Sequence, residues 1–310
     1  MPDISIVIPV YNEQDNIPIL YRRIISSLAT CGQSWELIFV NDGSWDSSLR
    51  FLKEISSHDS HVKIINFSRN FGQQAAFTAG MDYASGKAVI TMDADLQDPP
   101  ELIPKMIELW QEGALVVFAR RKSRNDSFFK RMTAKIYYYF LKKYSDVKIT
   151  GNIGDFRLID NQVLSHINNM REKSRYLRGM VAWLGFKYEI IDYDRPNRIH
   201  GETGYSMLKM ARLAMDGILN FSLLPLRLGM VIGLINIFSG LFFLIYIMLD
   251  TIINKQYYPL YKWLIVVLFM LIGFLFILLW ILAEYIGRIY DETKSRPLYV
   301  VHDLVNLENK

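Results

Sequence analysis

Apolar runs alternate with amphipathic helical patterns over the first 120 residues. Apolar positions recur at helical spacing in residues 17–31 and 47–58, whereas short continuous apolar runs between such patterns indicate strands. This alternation is typical of a parallel sheet with helices on both faces, so it predicts an α/β domain. The predicted strands cover residues 4–10, 35–41, 62–68, 88–93 and 114–119.

Two longer apolar stretches, residues 228–249 and 263–283, contain no charged residue. Each reaches the roughly 20 residues that a helix needs to cross a bilayer. A buried core helix is the alternative for either stretch, but a short polar loop separates them, which favours two spans. The pattern therefore predicts a domain at residues 1–227, two transmembrane helices within 228–286 and a C-terminal tail at 287–310.

The distribution of basic residues predicts the orientation in the membrane. The chain starts with a strand-like segment rather than an apolar signal, so we expect a cytoplasmic domain on a two-span protein of the inner membrane. Both chain ends should then be cytoplasmic. The flanking basic residues are Lys209, Arg212, Arg227, Arg288, Lys294 and Arg296, against Lys255 and Lys262 in the connecting loop.

The cysteine count and the distribution of charge limit the classes of partner that the protein could bind. Cys31 is the single cysteine, which excludes an internal disulfide, and a net charge of +4 is too mild to indicate nucleic acid. The basic residues are concentrated at 120–131, which indicates an anionic headgroup or phosphate partner beside a membrane. Residues 128–144 and 205–222 have amphipathic patterns that suit either the membrane interface or packing on the domain.

Polar residues follow four of the predicted strands, where parallel strands present their carboxyl ends to one crevice. Asp93 and Asp95, one residue apart, form an oxygen-rich pair suited to Mg²⁺ or Mn²⁺ that also binds substrate phosphates. The alternative is an acidic turn that caps the next helix. The strand-end residues are Tyr11, Asn12 and Glu13, then Asp42, Gly43 and Ser44, then Arg69 and Asn70, then Asp93 and Asp95.

Taken together, the motifs resemble the inverting glycosyltransferases of family 2, which have the Rossmann-like GT-A fold. More narrowly, they resemble the polyprenyl-phosphate glycosyltransferases, and the two-span end resembles the bacterial glucosyl branch. Each motif is weak singly, and their order and spacing make the resemblance specific. The motifs are 8–13, 40–44, 69–72, 92–101, 154–157, 198–205 and 221–228.

The resemblance implies a role for each matching residue. Pro9, Tyr11, Glu13 and Asp42 match positions that hold the nucleotide, while Asn41 stands where many relatives have Asp. Asp93 and Asp95 match the metal ligands. Gln97 matches a further oxygen ligand of some relatives, or has a structural role in the turn.

Asp155 matches the residue usually assigned as the catalytic base. Because the expected acceptor is a lipid phosphate that is already anionic at neutral pH, the alternative role for Asp155 is to orient a substrate, and a helix N-cap is its structural alternative. Arg120, Arg131 and Arg198 match phosphate-binding arginines, although any of them could be a solvated surface charge. The loop that contains Arg198 lacks a lysine that relatives often have.

The resemblance thus implies transfer of a hexose to undecaprenyl phosphate at the cytoplasmic membrane face, with glucose from UDP-glucose as the expected donor, in a chain that can form homo-oligomers. Other donor sugars, such as N-acetylglucosamine, mannose or a modified pentose, stay open. A processive polysaccharide synthase would need a Q-x-x-R-W motif, which is absent. A non-catalytic scaffold that binds nucleotide sugar is the alternative from another class.

Overall fold

The computed structural model describes residues 2–122, 153–173, 175–194 and 259–308, with isolated positions between 238 and 253. The chain forms two compact units, Met1–Ala214 with Arg296–Lys310, and Met215–Ser295. The first unit contains β1 (Ile4–Val10), α1 (Ile17–Leu28), β2 (Trp35–Asn41), α2 (Ser48–His58), β3 (Val62–Phe67), α3 (Gln73–Tyr83), β4 (Ala88–Thr91), α4 (Ile103–Gln111), β5 (Val116–Arg121), β6 (Ile153–Asp160), α5 (Asn161–Asn169), α6 (Leu177–Trp183), β7 (Tyr188–Tyr193) and, after the second unit, β8 (Val301–Val305).

One mixed sheet organises the first unit, with strand order β7-β5-β6-β4-β1-β2-β3-β8. The first four strands are parallel, as the sequence pattern predicts. The later part differs, because β6 lies antiparallel between β4 and β5. The mixed α/β architecture is that of a GT-A-like fold, and it brings the ends of β1 to β4 to one edge.

Burial on both faces explains the composition of the central strands. Ile4, Ile6, Val7 and Ile8 of β1 are all fully buried, as expected for a sheet covered by helices on both sides. Helix α1 begins with Pro18 in its first turn, where the missing N–H costs no hydrogen bond, and it packs its apolar face on this sheet. Burial of the strands therefore leaves their polar ends as the accessible part of the sheet.

The predicted strand boundaries need small corrections. Strand β4 ends at Thr91 rather than Asp93, because the backbone N–H of Asp93 donates to the Asp98 side chain, 3.1 Å away, instead of to a neighbouring strand. Strand β5 covers 116–121 rather than 114–119. The strands were thus located correctly, and at β4 a side-chain hydrogen bond sets the end of the strand.

The C-terminal tail returns to the sheet of the first unit. Strand β8 pairs antiparallel with β3 and occupies the edge of the sheet. The sequence shows only a short β-prone run near residues 298–302, and its partner strand lies far away along the chain. Residues beyond the predicted spans therefore complete the domain that precedes them.

The second unit contributes a helix of 34 residues, α7 (Leu260–Thr293). Taken over the described residues alone, no helix is both long enough and apolar enough to cross a membrane. The two predicted membrane helices stay predictions, and most of residues 228–249 lie outside the described part of the chain.

Candidate active site

A tight acidic turn follows β4. The Asp93 carboxylate accepts from the Gln73 side chain at 2.6 Å, and the Asp95 carboxylate accepts from the backbone N–H of Gln97 at 3.1 Å. Leu96 adopts a positive φ of 62°, which makes this reversal possible. The turn therefore holds both carboxylates at the end of the strand, and the backbone of Gln97 has a structural role there.

Four carboxylates gather near this turn. Burial raises the pKa of Asp93 well above its usual value, and the charges of Asp98, Asp155 and Asp95 raise it further. Burial also raises the pKa of Asp98, although the nearby Arg121 opposes the shift. Concentrated negative charge of this kind suits a divalent cation.

The side chains near the acidic turn provide only part of the ligands that a metal ion requires. Within the described residues, no group of three or more His, Cys, Asp and Glu side chains is arranged to hold a metal ion. Mg²⁺ typically binds one or two carboxylates and takes its other ligands from water and substrate phosphates. Asp93 and Asp95 fit such a site, in which a diphosphate would complete the coordination.

Arg121 is the cation of β5 nearest to the carboxylates. Its guanidinium lies 3.8 Å from Asp98 and donates to the hydroxyl of Tyr193 at 3.2 Å, and that hydroxyl donates to Asp98 at 2.9 Å. Arg120, the predicted phosphate ligand, forms a two-point ion pair with Asp192 at 2.6 and 2.8 Å, and its contact with phosphate stays a prediction. Adjacent strand residues point to opposite faces, so only one of the two arginines can face Asp98, and the sequence does not show which one.

Asp155 lies inside β6 and is buried, which excludes the helix N-cap alternative. Its carboxylate accepts from Arg178 at 3.1 and 2.6 Å and from Arg157 at 3.1 Å. Burial alone would raise the pKa of Asp155, but Arg178 and Arg157 outweigh it and lower the pKa to about 2. Asp155 is therefore ionised at neutral pH, and its carboxylate holds two arginines.

The sequence reasoning missed the role of Arg178, which lies on the short helix α6 and meets Asp155 only through the fold. Arg157 is part of the 154–157 motif and is fully buried. Within the described part of the chain, its Nε and Nη1 atoms have no hydrogen-bond partner.

The predicted nucleotide residues lie on loops that hydrogen bonds join together. The Asp42 carboxylate accepts the backbone N–H groups of Phe71 at 2.7 Å and Gly72 at 3.0 Å, so it links the ends of β2 and β3. Burial raises the pKa of Asp42 to about 6, although these hydrogen bonds oppose the shift. The Asp42 side chain thus shapes the loop as well as lying at the predicted nucleotide position.

The first motif is held in the same way. The backbone N–H of Glu13 donates to Ser48 at 2.9 Å, and the Glu13 carboxylate accepts from Asn16 at 2.5 Å. Pro9 lies in β1, and Tyr11, directly after it, is 46% exposed. Tyr11 therefore has the access to solvent that a ligand contact requires.

The remaining predictions fall outside the described part of the chain. Arg131 and Arg198 are among them, as are the amphipathic segments 128–144 and 205–222. Their predicted contacts with phosphate and with the membrane interface stay predictions.

Comparison with known proteins identifies the family. An uncharacterized glycosyltransferase of Bacillus subtilis is 45% identical over 99% of this chain and 95% of its own. A bactoprenol glucosyl transferase of Shigella phage SfX is 38% identical over 96% of this chain and 98% of its own. A mannosyltransferase from Pyrobaculum calidifontis, solved with GDP-Man and Mn²⁺, superposes with a TM-score of 0.47 at 14% identity, covering 70% of this chain and 63% of its own.

The sequence profile of glycosyl transferase family 2 matches residues 5–167, which include β1 to β6 and the acidic turn. The resemblance seen in the motifs is thereby confirmed at the level of the family. The chain belongs to glycosyl transferase family 2 and is a glycosyltransferase.

Proposed function

We propose that this glycosyltransferase moves glucose from UDP-glucose to undecaprenyl phosphate at the cytoplasmic membrane face, with inversion at the anomeric carbon. The observation that carries the proposal is the grouping of Asp93 and Asp95 with the Asp155–Arg178 pair at one edge of the sheet. Asp93 and Asp95 suit a cation that would bind the leaving diphosphate. Arg178, held by Asp155, suits an approaching anionic acceptor. The name of the phage relative supports the glucosyl donor and the lipid acceptor.

Asp93 and Asp95 would hold Mg²⁺ or Mn²⁺ in this account. When bound, the cation supplies charge neutralisation for the departing nucleoside diphosphate. The role of the turn is to keep the two carboxylates in place before the donor arrives, through the hydrogen bonds from Gln73 and the Gln97 backbone. The nucleotide would lie over the ends of β1 and β2, beside Tyr11 and Asp42.

Asp155 positions groups rather than removing a proton. A carboxylate with a pKa of about 2 is a weak base at neutral pH. A phosphomonoester has a second pKa of about 6, so the acceptor oxygen is already a charged nucleophile and needs no base. Asp155 instead holds Arg178 and Arg157, whose positive charges favour the approach of an anionic acceptor.

This role predicts the pH dependence of the Asp155→Asn variant. We expect kcat to fall by about 10²-fold because the arginines lose their fixed partner. The rate should still rise with pH through about 6 in both proteins, because the lipid phosphate, not Asp155, titrates there. Measuring kcat from about pH 5 to 9 checks this, and disappearance of the acidic limb in the variant would instead make Asp155 the base.

The membrane part of the proposal is supported by the second unit. Large apolar side chains of α7 are exposed, among them Leu268, Leu275, Trp280 and Ile286. Exposed apolar surface of this extent indicates contact with lipid or with protein. We propose that residues 228–286 anchor the enzyme beside its lipid acceptor.

A donor screen tests the proposed function. The full chain in detergent is incubated with undecaprenyl phosphate, Mn²⁺ and radiolabelled UDP-glucose, UDP-N-acetylglucosamine or GDP-mannose, and the label in the organic phase is counted. We expect extractable label from UDP-glucose. Label only from another sugar would correct the donor, and nucleotide binding without transfer from any donor would favour the scaffold alternative.

A further inference from the structure

The C-terminal strand meets the predicted nucleotide edge through three polar residues in register. Asn41 of β2 lies opposite Asn66 of β3, and Asn66 lies opposite Asp303 of β8. Asn41 and Asn66 are buried, so their amides need partners inside the protein. The three side chains cross the sheet at the end of β2, next to Asp42.

Hydrogen bonds connect this row to the donor loops. The Asp303 carboxylate accepts from the Asn66 amide, and the Asn66 oxygen accepts from the Asn41 amide at 2.7 Å. The Asn41 oxygen then accepts the backbone N–H of Ser44 at 3.3 Å. The Ser44 hydroxyl in turn accepts the backbone N–H of Asn12 at 3.0 Å, so the chain of bonds ends in the first motif.

The carboxylate sets the direction of the two bonds that the Asn66 and Asn41 amides donate. An ionised carboxylate only accepts hydrogen bonds, so Asn66 must turn its NH₂ group towards Asp303 and its oxygen towards Asn41. Asn41 must then turn its own NH₂ group towards Asn66 and its oxygen towards Ser44. Lys53, 3.0 Å from Asp303, helps to keep the carboxylate ionised.

A second, independent path runs from the same segment to Asp42. The ring of Tyr299 stacks on Phe67, with centroids 5.2 Å apart, and Phe67 meets Phe71 edge to face at 5.6 Å. The backbone N–H of Phe71 donates to the Asp42 carboxylate. Both paths from the C-terminal segment therefore end at residues of the predicted nucleotide site.

We infer that the C-terminal strand is part of the nucleotide-binding half of the active site, with Asp303 as a positioning residue for the loop 41–44. Asp303 itself need not contact the nucleotide. By fixing the Asn41 and Ser44 orientations it prepares the loop to bind a nucleoside diphosphate. The inference rests on the proposed function only in the class of donor, a nucleoside diphosphate sugar.

The test is nucleotide binding by the full-length protein, measured by calorimetry with UDP and with GDP. For the nucleotide that wild type binds better, Asp303→Ala should weaken binding about tenfold, the effect of losing one hydrogen bond to a charged group. Asp303→Asn keeps an acceptor oxygen for Asn66 and should recover most of the affinity. Asn66→Ala should weaken binding similarly, and the double variant should add little because both residues act through one chain of bonds.

Asn306→Ala is the matched control. Asn306 donates to the backbone oxygens of Ser56 in α2 and of Val62 at the other end of β3, so the variant loosens the strand without touching the row. It should lower Tm and leave nucleotide affinity unchanged. Unchanged affinity in Asp303→Ala, an equal loss in Asn306→Ala, or no nucleotide binding by wild type would overturn the inference. If lipid transfer fails while binding still depends on Asp303, the proposed function falls and this inference stands.

Discussion

Asp95→Asn is expected to abolish sugar transfer, lowering kcat by about 10³-fold or more, because the metal supplies several kcal/mol of charge stabilisation. The substitution preserves size and an acceptor oxygen for the Gln97 backbone N–H, so the turn after β4 should persist. What it removes is one of the two negative charges that would hold the cation. Initial rates with labelled donor measure the loss, and the affinity for Mn²⁺ should fall in parallel.

Glu101→Gln is a suitable control for this experiment. Glu101 follows the same turn and forms an ion pair with Arg23 at 2.7 Å, with its side chain 57% exposed. Exposed ion pairs of this kind contribute little to the free energy of unfolding. Changing the Glu101 acid to an amide should therefore leave both activity and Mn²⁺ binding near wild type. Full activity of Asp95→Asn would exclude the metal role of the acidic turn.

Arg178→Ala is expected to cause the second large loss, in both activity and stability. It removes the two-point partner of the buried Asp155 carboxylate, and breaking such a pair leaves a poorly compensated charge that costs about 3 kcal/mol. Transfer should fall by about 10²-fold or more because Asp155 then holds only the fully buried Arg157 and no longer positions Arg178 for the acceptor. Thermal unfolding and kcat measure the two effects.

The pH dependence of stability gives this prediction a further test. In wild type the pKa of Asp155 is lowered from 3.8 to about 2, so its stabilising contribution is present above the ordinary pKa and disappears as the pH falls towards 2. Loss of Arg178 raises this pKa, and the stability should then begin to fall at a higher pH. Arg171→Ala removes an exposed partner of Asp82. This variant should neither raise the pKa of Asp155 nor shift the pH at which stability begins to fall. Equal effects of the two variants would show that the Asp155 pair has no special role.

The first half of the fold could be predicted from sequence because its signals are local. Strands β1 to β4 are continuous apolar runs, and the polar residues after them form the observed edge. Strands β6, β7 and β8 were not predicted. Strand β6 enters the sheet antiparallel between two earlier strands, β7 pairs with β5 from about 70 positions away along the chain, and β8 pairs with β3 only after the second unit intervenes. Pairing between distant segments leaves no periodic trace in the chain.

In the candidate site, too, some residues could be placed from the sequence and others could not. Asp93, Asp95 and Asp42 follow strands directly, so their placement could be derived from where the strands end. Arg178 reaches Asp155 from a separate helix, and no spacing in the sequence indicates that contact. The choice between Arg120 and Arg121 depended on which face of β5 each occupies, a question that two adjacent arginines leave open until the strand is placed.

The most direct test of the central claim is acceptor-dependent formation of a lipid-linked sugar. Purified full-length protein is given UDP-[¹⁴C]glucose and Mn²⁺, with and without undecaprenyl phosphate, and the organic phase is analysed by chromatography and mass spectrometry. The account predicts undecaprenyl phosphoglucose in wild type only when the acceptor is present, and none with Asp95→Asn. Release of free glucose at the same rate with and without the lipid, and no labelled lipid, would contradict it.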